Sequence, residues 1–456
     1  MKKANVTVTS VLVMSMVASA PHAETLQEAL AITYASNPTL QAQRASVRGT
    51  DEGVSQALSG WRPTVTVVGE GGTEYNKSST TDVSGGDRTI NPSSLSLTVT
   101  QPVYTGGQTV AGTAAAEATV KAARSTLEST EQTVFQSAVT AYMNVVRDQA
   151  VVELNRNNVG VLERQREAAQ DRFDVGEITR TDVAQAEARL AGARSDLVRA
   201  IGNLKVSEAN YERVVGQKPG DLQNPGVPAN FPESIEAALE LGMTNHPDIQ
   251  AAKFQEESSK HNIRATSGKL LPTFAVTGSL SHSDNQAAES QWSESGSLSA
   301  RLTVPLYQSG SVYSEVRQAR QLNSQRKIEI EAAVREVREA VRRSWEQLEA
   351  ALAQITSNEE QVRANTIALE GVNQEAQVGS RTTLDVLDAE QELLVSQVNL
   401  VTARRDVNVA RYDVLASVGN LGAQELGLAV ELYDPEANYK RVRNKWTGTD
   451  GGLDCA

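Results

Sequence analysis

Two aspartates three residues apart, Asp385 and Asp388, come closest in this sequence to a functional constellation, because in a helix they share one face. Asp385 also has a structural role open to it. Thr382-x-x-Asp385 reads as a capping box, and Thr179-x-x-Asp182 repeats the pattern earlier in the chain. In such a box the hydroxyl and the carboxylate satisfy amide groups that a first helical turn leaves without partners. Gly176 and Gly379 precede the boxes and read as helix terminators, while Asp388 lies outside any cap. Catalytic patterns fare worse. His246, His261 and His282 have no histidine at i+4, the spacing of a helical metal site, and His246 before Pro247 reads as a helix start equivalent to Asn37 before Pro38. Gly107-x-x-x-x-Gly112 has the glycine spacing of a phosphate loop, but Thr113-Ala114 follows where Lys-Ser/Thr is required. There is no Gly-x-Ser-x-Gly elbow. The single Cys455 excludes an intramolecular disulfide and argues against a cysteine-ligated metal. No catalytic residue, metal site or cofactor is expected, and a secreted hydrolase would lack a plausible constellation of nucleophile and base.

Composition narrows the class further. The 456 residues hold 43 Lys+Arg against 56 Asp+Glu, a net charge of −13, which argues against nucleic acid as a partner. With 4 Trp, 10 Tyr and 5 Phe, the anchors of a stout globular core are scarce. Residues 1–23 read as a secretory signal: Lys2 and Lys3, an apolar stretch, then small residues around Ala18, Ala20 and Ala23. Beyond it no apolar run reaches the roughly 18 residues of a membrane-spanning helix, so any crossing must use β-strands.

Prolines divide the remainder. Pro219, Pro225, Pro228 and Pro232 cluster in a linker at 217–233, and none falls between Pro102 and Pro219 or between Pro305 and Pro435. Those proline-free stretches, rich in Ala, Glu, Gln and Arg, have the composition of very long helices. The linker separates a first repeat (24–216) from a second (234–420), with a C-terminal segment at 421–456 expected to pack midway along the helices and then fray. Asn37-Pro38-Thr39-Leu40 returns as His246-Pro247-Asp248-Ile249, Pro102-Val103-Tyr104 as Pro305-Leu306-Tyr307, and Val175-Gly176 as Val378-Gly379. Val334, Val341, Leu348, Ile355, Val362, Leu369 and Ala376 recur every seven residues, as do Ala138, Val145, Val152 and Val159, the period of left-handed coiled-coil packing.

Segments of period two interrupt the helices. Leu95, Leu97 and Val99 alternate with Ser96, Thr98 and Thr100, and Leu298, Ala300 and Leu302 alternate with Ser299, Arg301 and Thr303. Strands are expected at about 64–75, 94–104, 272–282 and 297–307, with Trp61, Tyr75, Tyr104, Trp292 and Tyr307 near their ends as interfacial aromatics. An apolar and a polar face fit a wall between lipid and water. Four strands cannot close a membrane barrel, so copies must share one; a dimer would bring eight strands and a trimer twelve.

Together these features resemble the TolC-type outer-membrane efflux proteins. The resemblance spans nearly the whole chain beyond the leader. It rests on the repeat, the Asn37-Pro38 and His246-Pro247 helix starts, the turns Pro102-Val103-Tyr104-Thr105-Gly106-Gly107 and Pro305-Leu306-Tyr307-Gln308-Ser309-Gly310, and the run Val378-Gly379-Ser380-Arg381-Thr382-Thr383-Leu384-Asp385-Val386-Leu387-Asp388-Ala389. It implies a mainly α protein with a membrane β-barrel: a homotrimer whose twelve-stranded barrel sits in outer-membrane lipid of a Gram-negative bacterium and continues as a helical coiled-coil barrel in the periplasm. It implies a passive exit duct of a tripartite efflux or type I secretion system. Its tip would be opened by a periplasmic adaptor (membrane fusion) protein and an inner-membrane pump of RND, MFS or ABC type. By the same resemblance Asp385 and Asp388 match a selectivity ring at the periplasmic entrance, and Thr181, Asp182 and Arg381 match the contacts that hold the tip closed. Val175, Gly176, Thr179, Val378, Gly379 and Thr382 match the adaptor-docking tip. Ala376 stands where some members have a gating tyrosine, with Arg180 as a candidate substitute. The competing expectation is a periplasmic or surface coiled-coil scaffold or adhesin without a pore.

Overall fold

Caps and prolines set the element boundaries. The computed structural model describes residues 24–77, 88–228, 230–286 and 290–451. The expected signal at 1–23, most of the first strand-pair tip, and the final residues with Cys455 lie outside the described residues. The first repeat runs α1 (Leu26–Ser36), α2 (Pro38–Leu58), β1 (Thr64–Gly71), β2 (Glu74–Asn76), β3 (Arg88–Ile90), β4 (Ser93–Tyr104), α3 (Gln108–Asp174) and α4 (Arg180–Val215). The second runs α5 (Ile235–Asn245), α6 (Pro247–Gly268), β5 (Thr273–Asp284), β6 (Trp292–Thr303), α7 (Ser311–Gln377) and α8 (Thr383–Ser417), and α9 (Pro435–Val442) follows. Asn37 caps α2 by accepting from the Thr39 and Leu40 amides, and His246 caps α6 by accepting from the Asp248 amide at 3.2 Å. Each has proline at the first helical position, where no amide partner is lost. The helices α3 and α7 are each 67 residues long, about 100 Å at 1.5 Å per residue.

The chain divides into two compact units, to both of which α3 and α7 contribute. One holds the described parts of 37–136, 230–349 and 412–451. Its four-stranded antiparallel sheet has the order β1-β4-β5-β6, so β1 and β6 are both edges. The register puts Thr66, Thr98, Ser279 and Ser297 in one row across the sheet and Val65, Val99, Gly278 and Leu298 in a row on the opposite face. Pro102 sits in β4 beside a register irregularity, where its missing amide is tolerated. The fourth strand differs from the sequence expectation, starting at Trp292 rather than near 297 and ending at Thr303 rather than near 307. Pro305 has no amide to donate and restrains Val304, which ends the pairing early. At the other end backbone hydrogen bonding extends through the serine- and glycine-rich stretch, where side-chain pattern gave no signal.

In the same unit Ala238, Ile249, Val337, Val341 and Val418 form a core cluster, joined by half-buried Trp345. The C-terminal segment lies along α2 and α3. Asn438 donates to the buried Asp51 carboxylate at 2.7 Å, while burial pushes the Asp51 carboxyl above its usual range. Three arginines stack on its aromatic rings: Arg44 over Tyr433, Arg124 over Tyr439 and Arg62 over Trp446, each 5.2 to 5.4 Å from the centroid.

The second unit holds the described parts of 24–36, 137–229 and 350–411. Val159, Leu162 and Ala169 of α3 pack with Val183, Ala186, Leu190 and Ala193 of α4 and with Leu387 of α8. Glu24 is clasped at the margin of this unit. Its carbonyl accepts from the Tyr142 hydroxyl at 2.8 Å, its carboxylate from the Tyr211 hydroxyl at 2.6 Å, and its amide donates to the Asp221 carbonyl at 2.8 Å.

Candidate functional site

The residues singled out from sequence fall on two helix-to-helix turns of the second unit. After α3, Gly176 adopts φ +84°, and after α7, Gly379 adopts φ +80°, left-handed conformations that cost a side chain with a Cβ. Each turn closes the preceding helix through the same bonds: the Glu177 amide donates to the Arg172 carbonyl at 2.9 Å, and the Ser380 amide to the Glu375 carbonyl at 3.0 Å. Each next helix then starts in a capping box. Asp182 accepts from the Thr179 amide at 2.9 Å and hydroxyl at 2.7 Å; Asp385 accepts from the Thr382 amide and hydroxyl, both at 2.8 Å. These bonds favour the ionised carboxylate. The Thr179 hydroxyl chiefly holds the Asp182 carboxyl below the usual range, and the Thr382 amide chiefly does so for Asp385.

Both turns carry an ion pair that sequence reading missed. Arg172, on the end of α3, donates to Glu177 in the turn at 2.6 Å; Arg381, in the other turn, donates to Glu375 on the end of α7 at 2.8 Å. Glu375 in turn holds the Arg381 guanidinium above its usual pKa. Asp388 on α8 pairs with Arg189 on α4, a partner 199 positions away that no local spacing could reveal. Within one chain, then, Asp182 and Arg381 each engage their own hairpin rather than one another, and Asp385 and Asp388 are both already partnered. Thr181 and Arg180 are exposed at the start of α4. Val175 and Val378 are 79% and 80% exposed beside the two glycines, a large apolar exposure at each turn. Ala376 contributes its carbonyl to the Gly379 amide, a backbone role open to any residue.

A sequence model of the outer membrane efflux protein family matches residues 27–217 and again 239–420, once over each repeat. The chain belongs to the outer membrane efflux protein family. The outer membrane efflux protein BepC of Brucella suis biovar 1 (strain 1330) is 38% identical over 93% of this chain and 92% of its own length. The outer membrane protein TolC of Escherichia coli (strain K12) is 26% identical over 91% and 86%. The solved structure of the Campylobacter jejuni CmeC outer membrane channel has a TM-score of 0.77 at 15% identity, covering 92% of this chain and 89% of that one. This efflux protein therefore has the fold of a helical tunnel joined to a β-barrel, is located in the outer membrane and serves as an efflux or secretion channel. The expectation of a pore-less scaffold or adhesin is set aside on these findings.

Proposed function

We propose that three copies of this efflux protein close one twelve-stranded barrel and form a passive exit duct whose periplasmic tip opens when a membrane-fusion adaptor and an inner-membrane pump engage it. The observation that carries the reading is the sheet. Its four strands leave β1 and β6 open along their outer edges, with hydroxyls on one face and aliphatic side chains on the other. Open edges in a membrane have no water to satisfy them, so they pair with the next copy, and three times four strands makes the barrel. The repeats at 24–216 and 234–420 supply two strands each, and the linker at 217–233 joins them. Val175, Gly176 and Thr179, with Val378, Gly379 and Thr382, form the docking tip, where small residues let a partner hairpin approach closely. The partner pump is of RND, MFS or ABC type and supplies the energy, since a duct of this kind contributes none.

At the tip, three copies of Asp385 and Asp388 make a ring that attracts cations, and Thr181, Asp182 and Arg381 belong to the links that keep the entrance closed. Opening breaks those links and relaxes the inner helices, a two-state change biased by the partner. The test is single-channel conductance of the purified protein in planar bilayers, with a trivalent cation on the tip side. The expected result is a small stable conductance that the cation blocks, with block lost in Asp385→Asn/Asp388→Asn. Protein verified as folded that forms no channel overturns the reading.

A further inference from the structure

The hydroxyl face of the sheet is almost free of charge. Across β5 and β6 the serines satisfy one another, Ser279 with Ser297 and Ser281 with Ser295 at 2.8 Å. Such a wall grips passing solutes weakly. Of the charged residues in the four strands, the register puts Asp284 and Glu294 on the aliphatic face and leaves Glu70 and Arg301 on the hydroxyl face. Arg301 lies opposite Ala275, and Ala275 opposite Pro102, so the row supplies no side-chain acceptor. The Arg301 side chain is exposed, and no ion pair or hydrogen bond holds it among the described residues. Glu70 shares its row with Ser94, Ser283 and Ser293, about 27 Å away along β6 at 3.4 Å per residue. That exceeds the Debye length of about 8 Å at physiological ionic strength, so under those conditions each charge acts on its own stretch of the wall.

We propose that Arg301 sets charge selectivity in the barrel, its guanidinium forming a cationic belt in the lumen near the ends of the strands that lead into the long helices and favouring anionic solutes such as carboxylates, phosphates and sulfates. The inference rests on the shared barrel proposed above. Because a wide water-filled lumen screens its own wall, the effect is greatest at low salt, where the Debye length is about 30 Å at 0.01 M, and fades near 1 M.

The test measures reversal potentials of the full-length protein in planar bilayers under a potassium chloride gradient at low salt. Asp385→Asn/Asp388→Asn with Glu70→Gln serves as background, so that neither the tip nor Glu70, which lies within a Debye length of Arg301 at low salt, sets the ratio. Arg301→Gln is expected to lower the chloride-to-potassium permeability ratio by about twofold to threefold, Arg301→Glu to lower it further and Arg301→Lys to preserve it. Arg301→Cys in a Cys455→Ser background keeps the inference testable if the glutamate variant fails to fold. A cationic thiol reagent is expected to restore the native ratio and an anionic one to depress it. Channels whose ratio is the same in every variant, or an introduced thiol at position 301 that water-borne reagents do not reach, overturn the role of Arg301 and leave the barrel standing. Folded protein without channels overturns the barrel and the selectivity together.

Discussion

The turn after α3 and the turn after α7 share a backbone and invert a charge. Both have a left-handed glycine, the same helix-closing bonds and a threonine–aspartate capping box. In the first, the helix carries the cation, Arg172, and the turn the anion, Glu177; in the second, the helix carries the anion, Glu375, and the turn the cation, Arg381. The shared geometry therefore resides in glycine and cap, where an alternative residue costs conformational energy. An exposed ion pair contributes little whichever way it points, so its polarity is free to serve something other than folding. What differs between the turns is the sign displayed outward.

Replacing the glycines should have the largest effect and should treat the turns alike. Gly176→Ala and Gly379→Ala each place a Cβ at positive φ, costing roughly 1–2 kcal/mol locally, and amide exchange in each turn should rise severalfold. A large rise in one turn and none in the other would break the equivalence. Next come the caps: Thr179→Ala and Thr382→Ala should each cost about 1 kcal/mol, read as faster exchange in the first turns of α4 and α8.

Acid should weaken the same caps together. Both carboxylates are held below their usual range in the folded chain, so their stabilisation is fully present above the ordinary aspartate value near pH 4 and is lost as pH falls through the folded value. Exchange corrected for intrinsic rate should rise at α4 and α8 in that acid window, and Asp182→Asn and Asp385→Asn should each abolish the rise at their own helix.

The ion pairs should matter least for stability and most for the contrast. Arg172→Gln and Glu375→Gln should leave thermal unfolding essentially unchanged. Glu375→Gln releases Arg381 and should alter the closed-state conductance, whereas Arg172→Gln should not; equal effects would mean that the inverted polarity carries no function.

Much of this was legible because it repeats. Glycine, threonine and aspartate signal through local backbone geometry, so the turns could be found from spacing, and the heptads predicted the buried stripe that includes Val145, Val152, Val341 and Leu348. The alternation at Leu95–Thr100 likewise gave the two faces of β4. The start of β6 was not legible, because Trp292–Gly296 is held by backbone pairing rather than by a side-chain pattern. Nor were the partners of Asp388 and Arg381. Arg189 meets Asp388 only through the packing of α4 with α8, and Glu375 is one of many exposed glutamates on its helix. Sequence spacing placed Arg381 in its turn and Asp388 on the following helix but could not say which side chains would pair with them.

The clasp around Glu24 has a consequence for timing. Residue 24 is held by Tyr142, Tyr211 and Asp221, and Gln223 returns an amide to its carbonyl at 3.2 Å. A chain made and exported N-terminus first presents Glu24 early and its last partner about 200 residues later. At synthesis rates of 5–20 residues per second that is a wait of roughly 10–40 s. The first helix lacks its packing partner until α4 follows about 150 residues later, and the clasp on Glu24 closes last of all, when Asp221 and Gln223 arrive.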